Sequence, residues 1–219
     1  MSHTLLKVGM LGGTFDPVHL GHLRSAVEVR EALGLDWLHM IPAPKPPLRD
    51  IPQVSPDQRF ELLKKGIADT PGIIADGREL RREGPSYSVD TLAELRSEYG
   101  SEVPLTMIIG FDAFLRLAKW HKVDEIFTLA HLVVIARPGY QTPWPLALKE
   151  LVGNREVDSV SALMKRPSGS MLSLTLPSMM AISATYVRER LKAGESVRYL
   201  LPEAVERSIL QQGFYQTYE

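Results

Sequence analysis

Residues 5–22 read LLKVGMLGGTFDPVHLGH. Residues 5–11 are a short apolar run around Val8, stopped by Gly12 and Gly13, the pattern of a strand buried on both faces of a parallel sheet. Over residues 19–33 the apolar positions Leu20, Leu23, Val27 and Leu33 fall near helical spacing, and Gly34 supplies a left-handed stop. Strand, glycine turn and helix are therefore consecutive.

The same alternation continues downstream. Residues 37–41 form a second strand, after which Pro42, Pro44, Pro46, Pro47 and Pro52 bar regular structure until Ser55. Ser55-Pro56-Asp57-Gln58 has a capping serine, proline at the first helical position and glutamine three residues after the cap, so a helix runs to about Ala68. Short strands follow at Ile73–Ala75 and at residues 79–80. Ser88 caps a further helix with Val89, Leu92 and Leu95 on one side, ending at Gly100. Residues 105–109 are an apolar strand closed by Gly110, helical segments occupy 112–117 and 123–130, and residues 132–136 are another strand.

This order predicts an α/β fold: a doubly wound, mostly parallel sheet with helices on both faces, its ligand lying beyond the carboxyl ends of the strands. The loops after Leu11, Ile41, Ile109 and Ala136 become the candidate walls. Residues 138–170, rich in proline, serine and glycine, are poorly patterned and carry no motif. In residues 182–194, Ala184, Val187 and Leu191 share one helical face that Gly194 closes, and a last helix runs from near Pro202 to near Gly213. Residues 1–219 are read as one domain, with 182–219 as its small C-terminal helical part.

Composition narrows the chemistry. The 219 residues are 44% hydrophobic, enough for one large core, and the net charge is −1 with no basic run longer than Lys64-Lys65 or Arg81-Arg82, which argues against a nucleic-acid partner. With no cysteine, disulfides, thiolate catalysis and the usual zinc sites are excluded. The apolar stretch near the N-terminus is too short to span a bilayer, so a cytoplasmic protein without a membrane partner is expected.

Gly12-Gly13 lets the backbone approach a ligand, although the fingerprint GxGxxG is absent and a glycine pair alone suits a simple turn equally well. His19 and His22, three apart in the first helical turn, share a side and point toward the helix amino end. A protonated histidine there is destabilising by about 0.3–1 kcal/mol, because the helix end carries partial positive charge. An anionic ligand reverses that sign, and backbone N–H groups with space at Gly21 would receive a polyphosphate.

With those residues in view, GGTFDPVHLGH resembles the phosphate-binding signature of the HxGH nucleotidyltransferase superfamily, and residues 182–188, ISATYVR, resemble its ISxTxxR motif. Within that superfamily the chain is most similar to the bacterial nicotinate-nucleotide adenylyltransferases, whose pattern also matches Pro85-Ser86-Tyr87-Ser88, Gly110-Phe111-Asp112, Trp120, Arg137-Pro138-Gly139 and Leu201-Pro202-Glu203. The resemblance spans nearly the whole chain. It implies a Rossmann-like nucleotidyltransferase fold and adenylyl transfer from ATP to nicotinic acid mononucleotide, giving deamido-NAD and pyrophosphate. It also implies Mg2+ as cofactor, held mainly by the ATP phosphates. One departure is Pro46-Pro47-Leu48-Arg49, where the family reads PPHK or PPHR; Lys45 and Arg49 keep positive charge there.

The resemblance gives His19, His22 and Arg188 the catalytic roles. It gives ATP the set Gly12, Gly13, Thr14, Phe15, His19, His22, Gly110, Asp112, Ile182, Ser183 and Arg188. Asp112 has two readings, a ligand of ribose hydroxyls or the metal shell and a plain helix cap, and Asp16 has the reading of a structural turn before Pro17. Nicotinic acid mononucleotide is expected at Tyr87, Ser88, Trp120 and Arg137, with Trp120 stacked on the pyridine ring and the N–H groups near Tyr87 and Ser88 receiving the carboxylate. Rival acceptors are phosphopantetheine and nicotinamide mononucleotide, and a rival class is a nucleotide-binding regulator without turnover. The sequence leaves a homo-oligomer open.

Overall fold

In the computed structural model, which describes residues 5–45, 54–136, 142–178 and 180–216, the apolar run and its two glycines form strand β1 (Val8–Gly13), and helix α1 (Leu20–Leu33) follows after a six-residue turn. Gly34, with φ 61°, takes the left-handed stop, its N–H closing onto the Arg30 and Glu31 carbonyls. Then come β2 (Trp37–Pro42), α2 (Pro56–Ile67), β3 (Ile73–Ala75), α3 (Ser88–Tyr99), β4 (Leu105–Gly110), α4 (Phe111–Phe114), α5 (Val123–Leu129), β5 (His131–Ala136), α6 (Leu146–Val152), α7 (Val160–Leu163), β6 (Met171–Thr175), α8 (Ala184–Lys192) and α9 (Glu203–Gln212). At α2 the serine cap forms as the sequence indicates, with Ser55 and Gln58 satisfying each other's backbone N–H groups.

The strands form one six-stranded sheet in the order β3-β2-β1-β4-β5-β6, and every pairing among the described residues is parallel. This is the doubly wound order, whose switch lies between β1 and β4. Both faces are buried. Leu38, Met40, Ile108 and Val133 join α1, α2, α8 and α9 in one apolar cluster, while Met10, Ile41, Met107 and Val134 join α3, α4, α5 and α6 in the other. Alternate residues of one strand thus feed opposite layers, which is why the strands read as continuous apolar runs.

Three expectations need correction. Residues 79–80 are not a strand: Arg78–Arg81 is a 3-10 turn that buries Glu79, whose carboxylate accepts from Thr91. Residues 138–170 lead into a strand that the sequence reading lacked, β6, at the sheet edge. Ser88 is the first residue of α3 rather than its cap; Tyr87 holds the cap position and no side chain closes that end.

Register opens the crevice. Pairing of β1 with β2 runs to Gly13 against Pro42, whereas pairing with β4 stops at Leu11 against Ile108. The two glycines of β1 therefore leave β4 while still bonded to β2, and the carboxyl ends of β1 and β4 separate at the switch point.

Candidate active site

The turn between β1 and α1 is held in a conformation that its glycines permit. Phe15 has φ 47°, in the left-handed region that costs an ordinary residue on the order of 1–3 kcal/mol. Its ring is buried and lies over Gly13, where a Cβ would stand 2.8 Å from it. His19 caps α1: its Nδ1 accepts from the His22 N–H at 3.3 Å, and its ring stacks on that of His22 with centroids 3.6 Å apart. Phe15 meets the His22 ring edge-on at 5.1 Å.

His19 differs from the expected charged group. Burial pushes its pKa down from 6.5 to about 4, so the imidazole is neutral near pH 7. Because Nδ1 accepts from a backbone N–H, the ring proton sits on Nε2, which makes His19 a neutral donor on its remaining nitrogen. Of the backbone donors at this helix end, the Leu20 N–H goes to the Leu200 carbonyl at 2.9 Å and the His22 N–H to His19. The Gly21 N–H has no protein acceptor among the described residues.

The second motif docks on the first at two points. Ile182 lies against Gly21, where an added Cβ would be 3.5 Å from the Ile182 Cβ and 3.1 Å from the His19 ring. Arg188 reaches the β1 turn, donating from Nη1 to the Asp16 carbonyl oxygen at 2.8 Å, and its Nη2 donates to Thr185 at 3.3 Å. Ser183 caps α8, accepting from the Tyr186 N–H at 3.1 Å. Asp16 does more than shape a turn: its buried carboxylate accepts from Tyr215 at 2.6 Å and lies 3.8 Å from Arg188.

Across the crevice, Gly110 ends β4 with nothing within 4 Å of an added Cβ, and the exposed Asp112 is the second residue of α4, whose cap position belongs to Gly110. Gly110, and not Asp112, thus holds the cap position of α4. Tyr87 stacks on His121 with centroids 4.2 Å apart, which brings the turn before α3 beside the segment carrying Trp120. Trp120 and Tyr87 are half-buried against the same apolar layer. Arg137 and the stretch Pro46-Pro47-Leu48-Arg49 lie outside the described residues.

Known proteins share both the sequence and the architecture. The cytidylyltransferase-like family model matches residues 10–190. The probable nicotinate-nucleotide adenylyltransferase of Chromohalobacter salexigens is 59% identical over 95% of each chain, and that of Halorhodospira halophila is 48% identical over 98% of each. A solved Plasmodium falciparum nicotinic acid mononucleotide adenylyltransferase, complexed with NaAD, has a TM-score of 0.69 at 11% identity and covers 96% of this chain and 97% of its own. At that identity the likeness shows the fold. The chain belongs to the cytidylyltransferase-like family and, within it, to the nicotinate-nucleotide adenylyltransferases.

As a nicotinate-nucleotide adenylyltransferase, the chain also carries supporting residues that the sequence reading passed over. Arg59 of α2 is fully buried and donates to the carbonyls of Thr14, Val54, Ala43 and Pro44, the last two at 2.9 and 3.1 Å. One guanidinium thereby ties the β1 turn to the base of the proline loop, next to Lys45. Its signal was a charge on the same helical face as Leu62 and Leu63. Glu28 of α1, also buried, accepts from Arg24 at 2.7 Å and from the Ser178 N–H at 3.1 Å, pinning the segment that leads into Ile182. Tyr215 lies beyond the last helical stop and carried no signal.

Proposed function

We propose that the chain transfers the adenylyl group of ATP to nicotinic acid mononucleotide, releasing pyrophosphate and forming deamido-NAD. The observation that carries this reading is the contact between the two motifs. Ile182 packs at Gly21 beside the His19 ring and Arg188 bonds to Asp16, so the donors of the first motif, the His19 Nε2–H and the Gly21 N–H, and the cation of the second, Arg188, are gathered on one turn at the carboxyl end of β1. Such an arrangement suits a polyphosphate better than any neutral ligand, since fixed donors and a cation meet its negative charge.

The chemistry asks little else of the protein. The mononucleotide phosphate is already an anion, so its oxygen attacks the α-phosphorus without a general base. The new oxygen–phosphorus bond forms as the bond to the pyrophosphate oxygen breaks, and the electron pair leaves with pyrophosphate. His19 and His22 would stabilise charge on the α-phosphate, while Ser183 and Arg188 hold the departing β and γ phosphates. Thr14, Phe15 and Ile182 shape the crevice, Gly13 makes way for the Phe15 ring, and Gly12 and Gly110 leave room for nucleotide. Asp112 is assigned to the ribose hydroxyls.

Nucleotidyltransferases generally use a divalent metal, and we assign Mg2+. Among the described residues no group of three or more acidic or histidine side chains is placed to hold one. The ion therefore fits as a passenger of the ATP phosphates, completed by water, where it offsets charge between the reactants. Trp120 is assigned to the pyridine ring. The carboxylate is assigned to the uncapped end of α3 at Tyr87 and Ser88, which would favour the acid over the amide. Because α8 and α9 share a core with α1 and α2, residues 182–219 are taken as part of one domain. No described helix is long and apolar enough to cross a membrane, and we place the reaction in the cytoplasm.

The test supplies ATP, Mg2+ and nicotinic acid mononucleotide and quantifies both products. Pyrophosphate and a dinucleotide should appear in equal amounts. Pyrophosphate without dinucleotide, or neither, overturns the proposal.

A further inference from the structure

Tyr215 follows the last helix and turns back to the first motif. It is 4% exposed and has φ 62°, a left-handed backbone that a bulky side chain adopts only where its surroundings hold it. Its hydroxyl donates to Asp16 Oδ1 at 2.6 Å, across 199 residues of chain. Burial and the neighbouring Asp16 hold the phenol above its ordinary pKa, so it stays a donor throughout the neutral range.

Asp16 sits between Tyr215 and Arg188. The Arg188 Nη1 is satisfied by the Asp16 main-chain oxygen at 2.8 Å, while the nearer carboxylate oxygen, Oδ2, stands 3.8 Å away. That separation matters. A carboxylate and a guanidinium left to themselves close into a two-bond pair, which would occupy the face of Arg188 needed by a phosphate. The phenol holds one carboxylate oxygen away from Arg188, and beyond its bonds to Asp16 and Thr185 the guanidinium keeps donors with no protein partner among the described residues.

We propose that Tyr215 is a positioning residue for ATP: by engaging one oxygen of Asp16 it prevents a bidentate Asp16–Arg188 pair and keeps the guanidinium available to the triphosphate. The proposal rests on the assignment of Arg188 to the ATP phosphates. Removing the hydroxyl leaves a buried carboxylate oxygen without its donor; of the two guanidiniums beside Asp16, Arg59 is committed to the carbonyls of Thr14, Ala43 and Pro44, so Arg188 is the cation that turns to satisfy it.

A double-mutant cycle tests this through steady-state kinetics with each substrate varied. Tyr215→Phe should raise the KM for ATP about tenfold and leave the KM for nicotinic acid mononucleotide within about twofold. Arg188→Ala should also raise the KM for ATP, and adding Tyr215→Phe to it should change nothing further. Adding Asp16→Asn to Tyr215→Phe should return the KM for ATP toward the unmodified value, because a neutral amide does not capture the guanidinium. Absence of that rescue, an unchanged KM for ATP in Tyr215→Phe, or an equal further rise in the Arg188→Ala background each overturns the proposal. An Arg188→Ala protein with unchanged KM for ATP instead overturns the assignment of Arg188 beneath it.

Discussion

His19 and His22 are adjacent rings with different tasks. Burial keeps the folded-state pKa of His19 near 4 against 6.5 when free, so the unfolded chain binds more protons between those values. Stability should therefore rise as pH increases from about 4 to about 6.5 and level off above, the His19 share being on the order of 3 kcal/mol. Denaturant melts across that range check it; replacing His19 with asparagine should flatten this part of the curve, and an unchanged slope would contradict the assignment. His22→Ala should lower kcat by about a hundredfold or more while circular dichroism stays unchanged, since it removes charge stabilisation rather than core volume. A near wild-type rate would remove His22 from the chemistry.

The β1 turn and the proline loop are held together by one side chain of α2. Arg59→Met keeps the length and removes every donor, leaving the carbonyls of Thr14, Val54, Ala43 and Pro44 without their partner. We expect a loss of about 3 kcal/mol in urea unfolding, the scale for breaking a buried charged hydrogen-bond cluster. A loss under about 1 kcal/mol would show that the loops hold themselves.

At the scale of elements, legibility followed local signals. The capping box at Ser55 and Gln58, the stops at Gly34 and Gly213 and the apolar runs of β1, β2, β4 and β5 marked their elements because each is specified by a few neighbouring residues. The edge strand β6 was not legible. Its outer half is exposed, so Ser173 and Thr175 dilute the apolar run, and it lies in a stretch dominated by turn residues. Residues 79–80 misled because Glu79 is buried by a hydrogen bond to Thr91, a contact no spacing announces.

At the scale of the molecule, the doubly wound order sets which ends meet. The switch between β1 and β4 places GGTFDPVHLGH at the crevice, and packing of α8 and α9 on the layer of α1 and α2 brings residues from 182 onward to the same turn. The motifs themselves were readable, being contiguous in sequence. Their joints were not: Arg188 to Asp16 spans 172 residues and Tyr215 to Asp16 spans 199, separations that only the folded topology closes. On the side assigned to the acceptor, the stacking of Tyr87 on His121 brings the α3 turn beside the segment of Trp120, the joint from which acid selectivity would arise. The most direct measurement is pyrophosphate release with ATP and Mg2+, offered nicotinic acid mononucleotide, nicotinamide mononucleotide and phosphopantetheine in parallel. Turnover should be fastest with the nicotinate, at least tenfold above the amide, as expected for a carboxylate received by the end of α3; equal or faster turnover with either alternative would contradict the account.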